Sequence, residues 1–153
     1  MQGADKNTRE IVKGNKGFSL LELLIVVAII LIIATIAIPS LLRSRQSANE
    51  TAAVGTLKMM NTAEVTYSSG GGNGYGTLAD LVTAALLDSS LQSPKSGYNY
   101  SIDVSSDRLN YTVFAIALPG MARFDYYTAP DYVIRYATDS TRAPSGLAGE
   151  PVR

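Results

Sequence analysis

The residues with the clearest chemical potential form the run Lys16-Gly17-Phe18-Ser19-Leu20-Leu21-Glu22. Glu22 is an ionisable group directly before a long apolar segment, and moving a charge into hydrocarbon costs on the order of 2.5 to 3.5 kcal/mol on insertion scales. A carboxylate in this place is therefore expected to face a partner, and a first helical turn favours an anion. The alternative is a solvated glutamate at a helix start near a membrane interface.

The composition lacks the side-chain types on which most catalytic mechanisms depend. The chain has no His and no Cys, which removes common metal ligands, the near-neutral acid-base side chain and thiol nucleophiles. Ser and Asp are plentiful, but no recognisable nucleophile motif accompanies them, so a hydrolase is disfavoured. Thirteen basic and thirteen acidic side chains balance, and we expect no specific nucleic-acid ligand. The sequence thus predicts neither an enzyme nor catalytic residues.

The elements that must position Glu22 begin with an apolar segment, residues 23–42, which contains no charge. Twenty helical residues span roughly 30 Å, the thickness of a bilayer's hydrocarbon core. The alternative, a buried core helix, would need more apolar surface than a 153-residue chain offers. Residues 1–17 are net basic, which predicts a cytoplasmic N-terminus. No clear small-x-small cleavage site follows Ile38, so the segment should be retained.

One helix is predicted from about residue 20 to residue 67, with Pro39 inside it. Proline removes the hydrogen bond to the carbonyl of Thr35, so a bend or local unwinding is expected there. Beyond Arg43, apolar and small residues recur at helical spacing and should cover a sheet. We assign that stripe to Leu41, Ala48, Ala52, Gly55, Met59, Ala63 and Tyr67, widened by Val54, Leu57 and Met60.

The rest of the chain predicts an antiparallel sheet. Glycines in residues 70–76 end the helix, and Thr77 with Asp80 predicts the start of a short helix that ends near Asp88. Period-two patterns then predict four strands in a meander, at residues 98–104, 109–118, 122–127 and 132–136. The tail, residues 138–153, is predicted to be irregular. The fold class is therefore α+β, with a long N-terminal helix packed on a four-stranded antiparallel sheet.

The junction around Gly17 resembles the processing signature of type IV pilins and of type II secretion pseudopilins, G-F-[ST]-L-x-E before a long apolar run. The resemblance implies a prepilin-like class III signal peptide, cleaved between Gly17 and Phe18 by a prepilin peptidase. It also implies N-methylation of Phe18 and an assembly contact between Glu22 and the Phe18 amine of a neighbouring subunit. Pro39 matches a proline around which helix is lost in packed pilin filaments.

The same resemblance implies a pilin fold in three parts. Residues 1–17 would be the cleaved leader, 18–42 the transmembrane and filament-core helix, and 43–153 the globular head. The expected role is a non-catalytic structural subunit of a pilus-like filament, held in the bacterial inner membrane before assembly and in the periplasm or on the cell surface afterwards. Expected partners are other copies of the chain, the peptidase, an inner-membrane assembly platform, an assembly ATPase and a secretin.

Two other protein classes are compatible with the same residues. A type II secretion pseudopilin carries the same motif, and a single-span membrane-anchored binding protein would never polymerise. The chain lacks the Cys pair of many Gram-negative major pilins. Major pseudopilins resemble one another in a calcium site, for which Asp125, Asp131 and Asp139 could supply oxygens here. These carboxylates are not clustered in one loop, so the sequence predicts no metal and no cofactor.

Overall fold

The computed structural model describes residues 17–71, 74–137 and 149–152. The predicted leader, apart from Gly17, and Asp139 lie outside the described residues. The chain divides into two compact units, residues 1–39 and 40–153. Helix α1 comprises Leu20–Ser69 and contributes to both units.

In the first unit, α1 begins where the backbone N–H of Leu23 donates to the carbonyl of Ser19, at 3.2 Å. Pro39 lies inside α1, with helical residues on both sides of it. Local unwinding at Pro39 is therefore not seen in the single chain, and the loss of helix around Pro39 in packed copies, which the resemblance implies, stays a prediction. The Thr35 hydroxyl donates to the carbonyl of Ile32 at 2.7 Å, so this polar side chain is satisfied within its own helix.

The second unit consists of the rest of α1, two short helical segments and one antiparallel sheet. The sheet has five strands in the order β1-β2-β3-β4-β5. Its elements are α2 (Leu78–Thr83), a 3₁₀ segment (Ser89–Gln92), β1 (Tyr98–Val104), β2 (Tyr111–Ala117), β3 (Asp125–Thr128), β4 (Arg135–Ala137) and β5 (Glu150–Pro151). The predicted α+β class and meander are confirmed, and the predicted count of four strands is wrong.

The extra strand arises from the tail that the sequence predicted to be irregular. Glu150 pairs with Tyr136, and the backbone N–H of Val152 donates to the carbonyl of Ile134 at 2.8 Å. Pro151 has no N–H to donate, which an edge strand tolerates because one side of it needs no partner. A two-residue strand has no periodicity of its own, so only its pairing with β4 reveals it.

The core lies between α1 and one face of the sheet. Alternate residues of β1 and β2 point to it, and the buried apolar residues of α1 are Ala53, Leu57, Met60 and Ala63. The predicted stripe was therefore partly wrong, since Leu41, Ala48, Ala52, Gly55 and Met59 are exposed. The spacing predicted that mainly small residues of α1 face the sheet. In the structure the larger Leu57 and Met60 face it instead, so the buried face of the helix is rotated relative to the predicted one.

The start of α2 follows the predicted signal. Thr77 accepts from the backbone N–H of Asp80 at 3.3 Å, and the Asp80 carboxylate accepts from the backbone N–H of Thr77 at 2.9 Å. This reciprocal capping box satisfies two donors that a helix start leaves unpaired. The helix ends at Thr83, earlier than predicted, and Asp88 instead caps the 3₁₀ segment.

Candidate processing and assembly site

The predicted cleavage junction lies before the first turn of α1. Gly17, Phe18 and Ser19 are outside the helix, and the Phe18 side chain is 83% exposed. Apart from its chain neighbours, no described atom lies within 4 Å of the place where a Cβ on Gly17 would sit. The described residues therefore leave space around Gly17.

Glu22 lies in the first turn of α1, as the sequence predicted, and its side chain is exposed. Within residues 17–71, 74–137 and 149–152, no basic group forms an ion pair with it. The carboxylate shares its helix turn with exposed leucines. Chemically, it can accept hydrogen bonds from an amine or pair with a cation supplied by another molecule.

A continuous apolar surface follows Glu22. The large apolar side chains of residues 20–38 are between 47% and 81% exposed. By length and composition, α1 contains a segment able to cross a membrane. Water contact with so much apolar surface is unfavourable by about 25 cal/mol per Å². This surface therefore requires lipid or other protein chains around it.

In the second unit, α1 is tied to the β2–β3 connection by a cluster that we call the clasp: Gln46, Asn49 and Glu50 of the helix with residues 120–123. The Gln46 amide donates to the carbonyl of Gly120 at 3.3 Å. The Asn49 amide donates to the carbonyl of Met121 at 2.8 Å. These hydrogen bonds hold the β2–β3 connection beside the helix.

Glu50 is the central residue of the clasp. Its Oε1 accepts from the backbone N–H and the Nε of Arg123, at 2.9 and 3.0 Å, and its Oε2 accepts from Nη2 at 2.6 Å. Burial acts to raise the pKa of Glu50, but the hydrogen bonds and charge of Arg123 outweigh it. The pKa of Glu50 therefore lies below its usual value.

Two further polar side chains of α1 are buried against the sheet. The Asn61 amide donates to Thr128 Oγ1 at 2.9 Å and accepts from the Tyr111 hydroxyl at 3.1 Å. Glu64 accepts from the backbone N–H of Gly76 at 3.0 Å. The structural roles of Glu50, Asn61 and Glu64 were not predicted from the sequence. Their spacing with Ala53, Leu57 and Met60 along one face of the helix was the signal.

The carboxylates considered for calcium are separated by their contacts. Asp125 Oδ1 accepts from the backbone N–H of Ala117 at 2.7 Å, and Asp131 pairs with Arg135 at 2.6 Å. Asp139 lies outside the described residues. Among the residues that are described, no group of three or more acidic side chains could hold a metal ion.

Comparison with known proteins gives a match to an N-terminal motif and matches to relatives over part of the chain. The family described as "Prokaryotic N-terminal methylation motif" matches residues 12–38. The type IV wide pilus major component PilA4 of Thermus thermophilus is 37% identical over 100 residues, which are 65% of this chain and 72% of that protein. The type IV major pilin protein PilA of Myxococcus xanthus is 44% identical over 55 residues, which are 36% of this chain and 25% of that protein. On its methylation motif, its fold and its similarity over most of a pilus component, this chain belongs to the type IV pilin family.

Proposed function

We propose that this chain is the structural subunit of a type IV pilus, polymerised through the apolar half of α1. The observation that carries the proposal is the exposed apolar surface of residues 20–38 with an exposed carboxylate, Glu22, at its N-terminal end. Lipid would cover this surface before assembly, and the same segments of other copies would cover it afterwards. The helix then serves first as a membrane anchor and later as the filament core.

The exposed Phe18 and the uncrowded Gly17 support the proposed processing step. A prepilin peptidase would cut between Gly17 and Phe18, and methylation of the new Phe18 amine would follow. In a dry filament core, a buried carboxylate is stable only when paired, and the Phe18 amine of a neighbouring copy is a cation of the right kind. Pairing Glu22 with that amine would fix the position of each added subunit along the filament axis.

The proposed route of the subunit runs from the inner membrane, with the N-terminus cytoplasmic, to a filament at the cell surface. An inner-membrane platform and an assembly ATPase would extract it, and a secretin would pass the filament through the outer membrane. Two curated relatives named as pilus proteins favour a surface pilus over a type II secretion pseudopilus.

The test is the product made by cells in which this chain is the only pilin. Material sheared from the surface should contain filaments by electron microscopy, and its subunit should have the intact mass of a chain that begins at methylated Phe18. Glu22→Ala should leave the processed protein in the membrane without filaments. Asp103→Ala, which removes an exposed acid of β1, is the matched control and should assemble normally.

Three outcomes would contradict the proposal. Surface material without this subunit would argue for a pseudopilus or for an anchored protein that does not polymerise. A subunit that still carries residues 1–17 in the filament would remove the processing step. Wild-type amounts of filament from the Glu22→Ala variant alone would remove the pairing argument.

A further inference from the structure

A buried carboxyl group that the filament role does not use lies near the end of α1. The Glu64 side chain is 0% exposed. Its Oε2 accepts from the backbone N–H of Gly76 at 3.0 Å, while its Oε1 has no hydrogen-bond partner among the described residues. A buried oxygen without a partner is costly, and far more so when it carries charge.

The loop that Glu64 holds, residues 74–77, leads directly into α2 and is held by a second hydrogen bond on another side. The backbone N–H of Tyr75 donates to the carbonyl of Arg108 at 2.9 Å. Gly76 has no room for a side chain, because a Cβ there would lie 2.8 Å from the ring of Tyr67. The closed loop therefore covers Glu64 tightly and keeps water from its free oxygen.

Among residues 17–71, 74–137 and 149–152, no positive charge is recorded against Glu64. Asp80 of α2 adds a like charge, and the titratable neighbours on the loop and on β2 are the phenols Tyr75 and Tyr111, which in turn face Tyr132 of the β3–β4 connection. Arg108, on the β1–β2 turn, is directed to Asp80 at 3.8 Å. Burial is the main cause that raises the pKa of Glu64, to about 7, and Asp80 adds to it, while the Gly76 hydrogen bond acts in the opposite direction.

We propose that Glu64 is a proton-binding site that latches the loop of residues 74–77 onto α1. With a proton on Oε1, the neutral carboxyl fits the dry site and its Oε2 accepts from Gly76. Loss of that proton to bulk water leaves a buried anion, and the loop then opens more often so that water can solvate it. The exposed surface around α2 thus becomes more mobile as the medium turns from acidic to alkaline.

The size of the pH effect on loop opening follows from the pKa of Glu64 in the closed and open states of the loop. In the open loop the carboxyl has its ordinary pKa of 4.5, and in the closed loop it has a pKa of about 7. By proton linkage, the opening equilibrium of the loop should increase about 70-fold between pH 5 and pH 8. Above pH 8 it should change little, because both states are then ionised.

Hydrogen exchange on the full-length protein in detergent micelles tests the latch without requiring filaments. After correction for the intrinsic pH dependence of exchange, protection of the Tyr75 and Gly76 amides should fall about 70-fold from pH 5 to pH 8. Glu64→Gln keeps an oxygen for Gly76 but has no proton to lose, so its loop protection should be independent of pH. Glu50→Gln changes the other buried glutamate and should retain the response.

Two results would overturn the proposal that protonated Glu64 holds the loop. One is pH-independent protection of the loop in the wild type, and the other is an unchanged pH response in Glu64→Gln. If that variant fails to fold, the infrared band of a protonated carboxyl in the wild-type protein decides. The band should persist at pH 6 and disappear by pH 8, and its absence at pH 6 would also overturn the proposal.

Discussion

The buried hydrogen bonds of Asn61 give a prediction whose size can be worked out from the structure. Asn61 is 4% exposed, and its partners Thr128 and Tyr111 are 0% and 2% exposed. Asn61→Leu keeps a similar volume but removes the acceptor of the Tyr111 hydroxyl and the donor to Thr128. Each buried hydroxyl that loses its partner costs about 1 to 3 kcal/mol, so the free energy of unfolding should fall by about 3 kcal/mol.

The same reasoning predicts a partial rescue. Asn61→Leu combined with Tyr111→Phe and Thr128→Val removes the two hydroxyls that the single substitution leaves without Asn61, so all three positions are then apolar. Replacing both sides of a buried hydrogen bond by apolar groups of similar shape can be nearly neutral. The triple variant should therefore be more stable than Asn61→Leu alone, and the three changes should be strongly non-additive.

Urea denaturation of the full-length protein in detergent, followed by near-ultraviolet circular dichroism, measures both effects. All nine tyrosines lie between residues 67 and 136, so the signal reports on the head alone. Thr62→Ala, at the next and exposed position of α1, is the control and should change stability by less than about 0.5 kcal/mol. A loss below 1 kcal/mol for Asn61→Leu, or a triple variant less stable than the single one, would refute the reasoning.

Three more predictions concern the junction, the proline and the clasp. Gly17→Val should obstruct the peptidase and leave the leader attached; an intact mass that still begins at methylated Phe18 would show that the processing assignment is wrong. Pro39→Ala restores a backbone donor to Thr35 and should favour continuous helix by about 3 kcal/mol, so that cryo-electron microscopy shows fewer filaments or an altered rise; identical filaments with residues 35–39 extended in both would contradict it. The pKa of Glu50 is lower in the folded state, so its contribution to stability is full above its unfolded pKa of 4.5 and is lost as the pH falls through the folded value. Arg123→Ala should weaken this acid dependence of the free energy of unfolding, measured by denaturation curves from pH 3 to pH 7. An unchanged dependence would contradict the pairing of Glu50 with Arg123.

Local patterns in the sequence were enough to predict several helices and strands of the fold. The alternation of Tyr98, Tyr100 and Ile102 predicted β1, and the Thr77–Asp80 pair predicted the start of α2. Both depend on contacts within a few residues, which a sequence pattern records directly. The motif around Gly17 and Glu22 is also local, and the methylation-motif family matches residues 12–38, whereas cleavage after Gly17 and the role of Glu22 stay predictions.

Long-range contacts explain what the sequence could not predict. Strand β5 depends on Glu150 meeting Tyr136, and the clasp depends on Glu50 meeting Arg123, which is 73 residues away. Polar residues of an amphipathic helix usually lie on its solvent side, yet Glu50 and Asn61 are buried. Each is buried with its hydrogen bonds satisfied by groups that no local pattern could assign. The third strand begins at Asp125, later than predicted, since the preceding residues are drawn to α1.

Strand β5 also determines where foreign sequence can be added to this subunit. The pairing of β4 with β5 holds residues 137 and 150 close together, so the segment between them starts and finishes at one place on the head. Doubling the length of such a closed segment costs only about 0.6 kcal/mol of chain entropy. A peptide tag or antigen inserted between residues 138 and 148 should therefore leave the sheet intact. Gly149 must be kept, because its positive φ and its proximity to the Tyr127 hydroxyl exclude a side chain.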